Sequence, residues 1–335
     1  MKPTLATPPS RISVVVPFYN EGANVQAFFT RLVPVLDGLG LAWDVVCVND
    51  GSSDDTLDRL LAARARHPAI KVVDLSRNFG KERALSAGLF HAAGDAVVII
   101  DADLQHPPER IAGLVEKWRE GYEVVYAVRE ERTDQTLVSR ILRRIFYALF
   151  DRLSEVPVPH GTGDFRLLDR RVVAVINRMP ERTRFMKGIY SWVGFRQGGI
   201  SYREEARREG ETKWGLRGLL RLGVDGLTAF SNFPLQVWTI VGATISGIAF
   251  LYIVFRLVRT ALHGVDVPGY ESIIMIVLFL GGIQLLTLGI LGDYIGRIFS
   301  EVKGRPLFIV RATYGVDGGP GDARRGAEEV GAERK

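Results

Sequence analysis

Two stretches without a single charged residue constrain this chain more than any other feature. PLQVWTIVGATISGIAFLYIVF (234–255) runs for 22 residues and SIIMIVLFLGGIQLLTLGILG (272–292) for 21. A helix needs about 20 consecutive apolar residues to cross the hydrocarbon of a bilayer. A pair of buried helices in a soluble domain is the alternative, but uncharged runs of this length rarely occur twice in such a domain. The connection RLVRTALHGVDVPGYE (256–271) is short. The expectation is a hairpin of two transmembrane helices, 234–257 and 270–293.

Charge then orients the hairpin. Arg297, Lys303, Arg305 and Arg311 follow the second stretch, and Lys213, Arg217 and Arg221 precede the first. The connection holds only Arg256 and Arg259, at the membrane edge. An excess of Lys and Arg marks the cytoplasmic side, so both termini are expected in the cytoplasm. The formal charge of +5 suits an anionic membrane surface or a phosphate-bearing substrate. No nucleic-acid motif accompanies it, so nucleic acid is not an expected partner. MKPTLATPPSR has no apolar run, and no secretory signal is expected. The single Cys47 lies in an apolar strand and reads as core filling. The stretch DGGPGDARRGAEEVGAERK is polar and Gly-rich, the composition of a disordered end.

The first two hundred residues alternate between two periodicities. Strands are expected at 12–19, 43–50, 70–76, 95–103 and 123–129, and helices at about 22–38, 54–67, 80–93 and 107–120. This βαβα order predicts an α/β domain with a doubly wound, mostly parallel sheet. It has neither the Gly-x-Gly-x-x-Gly turn of dinucleotide folds nor a Walker loop. Two amphipathic segments follow. TLVSRILRRIFYALFDRLS (136–154) carries an apolar stripe with Arg140, Arg143 and Arg144 beside it, and fits either packing on the sheet or an interfacial helix. KWGLRGLLRLGVDGLTAFSNF (213–233), next to the first apolar stretch, reads as a helix on the membrane surface.

Polar residues gather where the strands end. Asn20 and Glu21 follow the first, Asp50 the second, Arg77 and Lys81 the third, and Arg129 ends the fifth. Asp54 reads as a helix cap. In open α/β sheets, ligands bind at the carboxyl ends of the strands. Asp50 and Glu21 suit a ribose or base, and Arg77, Lys81 and Arg129 suit phosphates. In VVIIDADLQHPPE (97–109), a continuous apolar strand ends in Asp101 and Asp103. Residues two apart in a strand share a face, and two carboxylates on one face repel unless a cation neutralises them. Hard oxygen ligands favour magnesium or manganese, ions that usually hold substrate phosphates as well.

Six motifs occur in order: VVVPFYNE, VNDGSSDDT, LSRNFGKERALSAGL, IDADLQHPPE, GDFRLLDRRV and GETKW. Together they resemble the family 2 glycosyltransferases of the GT-A fold. Within these, the chain resembles the polyprenyl-phosphate glycosyltransferases, the group of GtrB-type undecaprenyl-phosphate glucosyltransferases and dolichyl-phosphate mannose synthase. The resemblance spans about residues 11 to 305, hairpin included, and departs at Thr212, where relatives often carry serine. It implies a cytoplasmic GT-A domain over 1–212, a juxtamembrane helix over 213–233, the two spans, and a cytoplasmic tail over 294–335. It implies inverting, metal-dependent transfer of a hexose from a nucleotide sugar to a polyprenyl phosphate. Glucose from UDP-glucose is the expected pair, with GDP-mannose or an amino-sugar donor as alternatives. A processive polysaccharide synthase shares the fold, but it should carry more spans and a Gln-x-x-Arg-Trp motif.

By the same resemblance, Asp101, Asp103 and Gln105 correspond to the Mg²⁺ or Mn²⁺ and donor motif. Pro17, Tyr19, Glu21, Asp50 and Lys81 belong to the nucleotide-sugar pocket. Arg129, Arg140, Arg184 and Lys213 would hold phosphates of acceptor and donor, and Asp164 stands where the group has its proposed base. A homo-oligomer, a tetramer, is implied too.

Overall fold

A computed structural model describes residues 10–129, 162–182, 184–202 and 269–316, with isolated positions between 244 and 262. The chain divides into two compact units. One comprises residues 1–151, 156–219 and 306–335, and the other 152–155 and 220–305.

The first unit is built on an eight-stranded sheet. Its strands are β1 (Arg11–Phe18), β2 (Ala42–Asn49), β3 (Ile70–Leu75), β4 (Ala96–Ile99), β5 (Val124–Arg129), β6 (Thr162–Asp169), β7 (Gln197–Tyr202) and β8 (Val310–Tyr314). The spatial order is β7-β5-β6-β4-β1-β2-β3-β8. The expected parallel block is present as β4-β1-β2-β3. Beyond it the sheet is mixed. β6 runs antiparallel to both β4 and β5, β8 runs antiparallel to β3, and β5 and β7 pair in parallel. Three strands therefore join the five expected ones. β8 comes from residues that the sequence reading leaves in the tail, and the guanidinium of Arg311 ties it to the Ser76 carbonyl at 2.7 Å.

The strands form where β-branched residues run unbroken. Val14, Val15, Val16, Val45, Val46, Val48, Val72, Val73, Val97, Val98 and Ile99 are fully buried, as expected of strands covered on both faces. The covering helices are α1 (Gly22–Asp37), α2 (Thr56–Arg66), α3 (Lys81–His91), α4 (Ile111–Arg119) and α5 (Arg170–Arg178), with the short α6 (Met186–Trp192) after them. The N-cap of α2 is Asp55, one residue past the Asp54 expected there, and Asp54 instead accepts the Thr56 amide at 3.1 Å from just outside the helix. Cys47 is buried in β2 among core residues. From β1 the chain winds through β2 and β3 to one side, while β4 pairs on the other. A topological switch point thus lies at the carboxyl ends of β1 and β4, where such sheets bind ligands.

In the second unit, α7 (Tyr270–Val302) is a single helix of 33 residues. It contains the whole second apolar stretch. Its segment Phe279–Val302 is long and apolar enough to cross a membrane, the one such segment among the described residues. Thr244, Leu251, Tyr252, Val254, Phe255, Val258 and Leu262, in or just after the first stretch, are helical positions. Segments 136–154 and 213–233 lie outside the described residues.

Asp169 joins the sheet to two helices. One carboxylate oxygen accepts the Arg171 amide at 2.9 Å and caps α5, and the other accepts the indole N–H of buried Trp118 on α4 at 2.9 Å. Losing an N-cap costs about 1 kcal/mol, and orphaning a buried donor costs about 1–3 kcal/mol. Asp169→Ala should therefore destabilise the domain by about 2–4 kcal/mol, and Asp169→Asn by less. Chemical denaturation followed by tryptophan fluorescence reads this directly, and an unchanged midpoint for the alanine variant would refute the assignment.

Candidate active site

One antiparallel strand pair frames the site. β4 and β6 are antiparallel with Ala96 opposite Asp169 and Ile99 opposite Arg166. Asp101, in the turn just past the end of β4, and Asp164, near the start of β6, both reach the same cation. Two carboxylates gathered in one partly buried place need a counter-ion, and Lys81 supplies it. Its ammonium lies 2.8 Å from Asp101 Oδ2 and 2.6 Å from Asp164 Oδ2. The Lys81 side chain is 43% exposed, and those of Asp101 and Asp164 are 21% and 12% exposed, so the trio is partly open to solvent.

Lys81 reaches this place because Asp50 sets the start of α3. The Asp50 carboxylate accepts the Phe79 amide at 2.7 Å and the Gly80 amide at 2.9 Å. Burial raises the Asp50 pKa above the ordinary carboxylate value, against the pull of those two amides. Gly51 has φ +62°, and a Cβ there would fall 2.3 Å from the Arg77 backbone carbon. Only glycine allows the loop after β2 to pack this closely on the loop after β3. The VNDGSS and SRNFGKE motifs are thus two halves of one contact.

The acids of the DADLQ turn are arranged differently from the sequence expectation. β4 ends at Ile99, so Asp101 and Asp103 stand in the turn that follows, and strand periodicity does not place them on one face. Leu104 adopts φ +60° and is buried, which closes the turn. Asp103 Oδ1 accepts the Gln105 amide at 3.1 Å, a local side-chain turn. Asp101 faces Lys81, with His106 Nε2 3.9 Å from its Oδ2. His106 is held by a 2.7 Å hydrogen bond between its Nδ1 and the Tyr202 hydroxyl and by the ring of Phe165.

At the end of β1, Pro17 is half-buried and Tyr19 is exposed, while Glu21 accepts the side-chain amide of Asn24 at 2.6 Å. Arg184 donates to the carbonyls of Ile176, Met179 and Glu181, which finish α5. Its guanidinium thus serves the backbone beyond the helix end in this structure. Arg129 closes β5, but its side chain, like Arg140 and Lys213, lies outside the described residues.

Several groups around Asp164 were not anticipated. Arg166, two residues along the same face of β6, is buried with its guanidinium 4.0 Å from the Tyr190 ring centroid. Glu82 accepts the Met186 amide at 3.2 Å and so ties α3 to the start of α6. Burial works to raise the Asp164 pKa, but Lys81, Lys187 and Arg166 outweigh it and hold the carboxyl well below the usual range. Burial likewise opposes the Lys81 charge, yet Asp101 and Asp164 raise its pKa above the ordinary lysine value. Glu82 moves the other way. Burial first, and then the Asp164 charge, push it up to about 7. Glu82 and Arg166 lie inside the quoted LSRNFGKERALSAGL and GDFRLLDRRV motifs, but a Glu beside a Lys in a first helical turn, or an Arg inside a strand, reads as surface.

The Glu82 shift has a signed consequence. A carboxyl whose folded pKa lies above its unfolded value binds more protons when folded, so stability falls as pH rises from about 4.5 to about 7. Glu82→Gln keeps an acceptor for the Met186 amide and removes the ionisation. The variant should melt close to wild type at pH 5 and above it at pH 8. Thermal unfolding at the two pH values reads the difference, and equal melting temperatures at pH 8 would contradict it.

With the geometry in place, the comparisons with known proteins give the family. Residues 13–176 match the model described as glycosyl transferase family 2, and residues 233–298 match the GtrB C-terminal hairpin. The chain is 49% identical over 306 residues to an uncharacterized glycosyltransferase of Synechocystis sp., covering 91% of this chain and 96% of that protein. It is 43% identical to an uncharacterized glycosyltransferase of Bacillus subtilis, covering 91% and 94%. It is 41% identical to the bactoprenol glucosyl transferase of Shigella phage SfII, covering 91% and 98%. An α/β sheet with its acids at the switch point, a family model over the sheet and a second model over the apolar hairpin agree: this chain belongs to the family 2 glycosyltransferases and is a glycosyltransferase of the GT-A fold.

Proposed function

We propose that this enzyme transfers glucose from UDP-glucose to a polyprenyl phosphate, undecaprenyl phosphate in the first instance, with inversion at the anomeric carbon. The observation that carries the reading is the meeting of Asp101 and Asp164 across Lys81 at the carboxyl edge of the sheet. One carboxylate comes from the donor-side DADLQ turn and the other from β6. The similarity to bactoprenol glucosyl transferases over nearly their whole length supports the choice of sugar and acceptor.

The residues of the turn suit a divalent ion. Asp101, Asp103 and Gln105 offer hard oxygen donors, which favour Mg²⁺ or Mn²⁺. Among the described residues, no three His, Cys, Asp or Glu side chains form a cluster able to hold an ion. Water and the nucleotide's phosphates would complete its coordination, the usual arrangement for Mg²⁺. When bound, such an ion neutralises charge growing on the departing nucleoside diphosphate.

The chain's own groups handle the acceptor. A phosphate monoester has its second pKa near about 6, so at pH 7.5 the acceptor is mostly a dianion and already a competent nucleophile. A carboxyl held below its usual range is a weak base for that proton. We therefore assign Asp164 to positioning. Anchored by Lys81, it holds the cations that receive the phosphate and keeps the attacking oxygen in line with the anomeric carbon. Product analysis after lipid extraction, with UDP- and GDP-sugars supplied in parallel, tests the reading. Glucosyl polyprenyl phosphate should form from UDP-glucose, stop in EDTA and resume with Mg²⁺ or Mn²⁺. Asp103→Asn should lose at least about 10²-fold in rate. Full turnover in a chelated preparation would remove the metal from the mechanism.

The proposal places the sheet and both termini in the cytoplasm, under the inner membrane. The sheet supports it. β7 precedes the hairpin segment and β8 follows it, yet both belong to one sheet. Two crossings, one by α7 and one proposed for the 234–255 stretch, would return the chain to the side it left, in keeping with both strands belonging to one sheet. Single cysteines at 264–269 should label from outside intact cells and cysteines near 320 should not. The reverse pattern would overturn this orientation.

A further inference from the structure

Lys81 fits the phosphate-binding role that its position suggests, but its contacts assign it more. An ammonium has three donors. Two are spent on carboxylates from different parts of the sheet, Asp101 after β4 and Asp164 in β6. The backbone that presents Lys81 is itself fixed, because Asp50 holds the Phe79 and Gly80 amides just before α3. The lysine is thus a preorganised strut and is not a free arm at the cleft edge.

We infer that Lys81 is a positioning residue for the transfer step, a clamp that sets Asp164 on the acceptor side relative to Asp101 on the donor side. The inference rests on the glycosyl-transfer reading above and deepens it. Two like charges drawn to within 2.8 and 2.6 Å of one ammonium repel each other. Without the ammonium between them, one carboxylate must turn away or take up a proton, and the alignment of acceptor with anomeric carbon is lost. Asp164 Oδ1 is buried with no hydrogen-bond partner, so the Lys81 bond to Oδ2 is the close contact that orients this carboxylate. The third donor of Lys81 is taken by no described residue and can meet a phosphate oxygen.

A clamp and a phosphate ligand differ in kinetics. Removing a ligand that binds donor equally in ground and transition states raises KM and leaves kcat alone. Removing a clamp lowers kcat and leaves donor KM nearly alone. Lys81→Met should lower kcat by at least about 10²-fold with donor KM within about 3-fold of wild type. Lys81→Arg keeps the charge and can span both acids, and should recover about 10-fold of the loss. The double variant Lys81→Met/Asp164→Asn should turn over no more slowly than the worse single variant, because both changes break one contact. A rise in donor KM at unchanged kcat, or losses that multiply in the double variant, would overturn the clamp.

A second cycle needs no substrate. Melting temperatures of unliganded wild type, Lys81→Met, Asp164→Asn and the double variant should be non-additive, and the same should hold with Asp101→Asn in place of Asp164→Asn. Additive shifts in both cycles would also overturn it. Non-additive shifts in a protein that forms no glucosyl polyprenyl phosphate would leave the clamp standing and sink the proposed substrate pair instead.

Discussion

The site depends on one structural constraint, the antiparallel insertion of β6 beside β4. A purely parallel sheet would leave the DADLQ turn facing only the loops after β1 and β2. With β6 in place, Ile99 lies opposite Arg166, and Asp164 on β6 and Asp101 past the end of β4 both contact Lys81. Charges so placed are unstable unless compensated, and the compensation comes from a third element. Asp50 fixes the start of α3, α3 presents Lys81, and Lys81 closes the two acids together. Groups from β2, α3, β6 and the turn after β4 are thereby joined by a chain of hydrogen bonds in which each link is held by the one before it.

The same neighbourhood holds more ionisable groups than a stable core requires. Arg166 is buried over Tyr190, and Glu82 lies close enough to Asp164 for the two charges to influence each other. Desolvating such groups costs several kcal/mol each before pairing repays it. Apolar residues would serve stability better, which ties the arrangement to chemistry. For a glycosyltransferase the use is direct. Phosphates must arrive on both sides of the reacting carbon, and preorganised charges meet them without reorganising when the bond breaks.

Much of the fold was legible because burial writes itself into sequence. The four strands of the parallel block are runs of Val and Ile that belong nowhere except between two layers of helix, and each appears within a few residues of where periodicity puts it. β6 was not legible as a strand. Its inward-facing Asp164 and Arg166 interrupt the apolar pattern, and they are paired only in three dimensions. β7 contains Gly198 and Gly199, which pack under the rings of Tyr122 and Tyr126 and have no side chain to signal a strand. β8 escaped because it lies past the hairpin, more than two hundred residues from its partner β3.

For the site, the sequence by itself determined the inventory. The acids of the DADLQ turn, Asp50, Lys81 and Asp164 all stand in motifs, because the residue types required for phosphate chemistry are few and their order in the chain is visible. Tertiary structure decided the pairings. That Lys81 meets two carboxylates, and that Arg184 meets the carbonyls of Ile176 and Met179, depends on how separate strands, turns and a helix end come together. Neither is encoded locally. A side chain's charge is a property of the residue, but its partner is set by the backbone geometry of segments distant in the chain, and the pKa and role of each group follow from that partner.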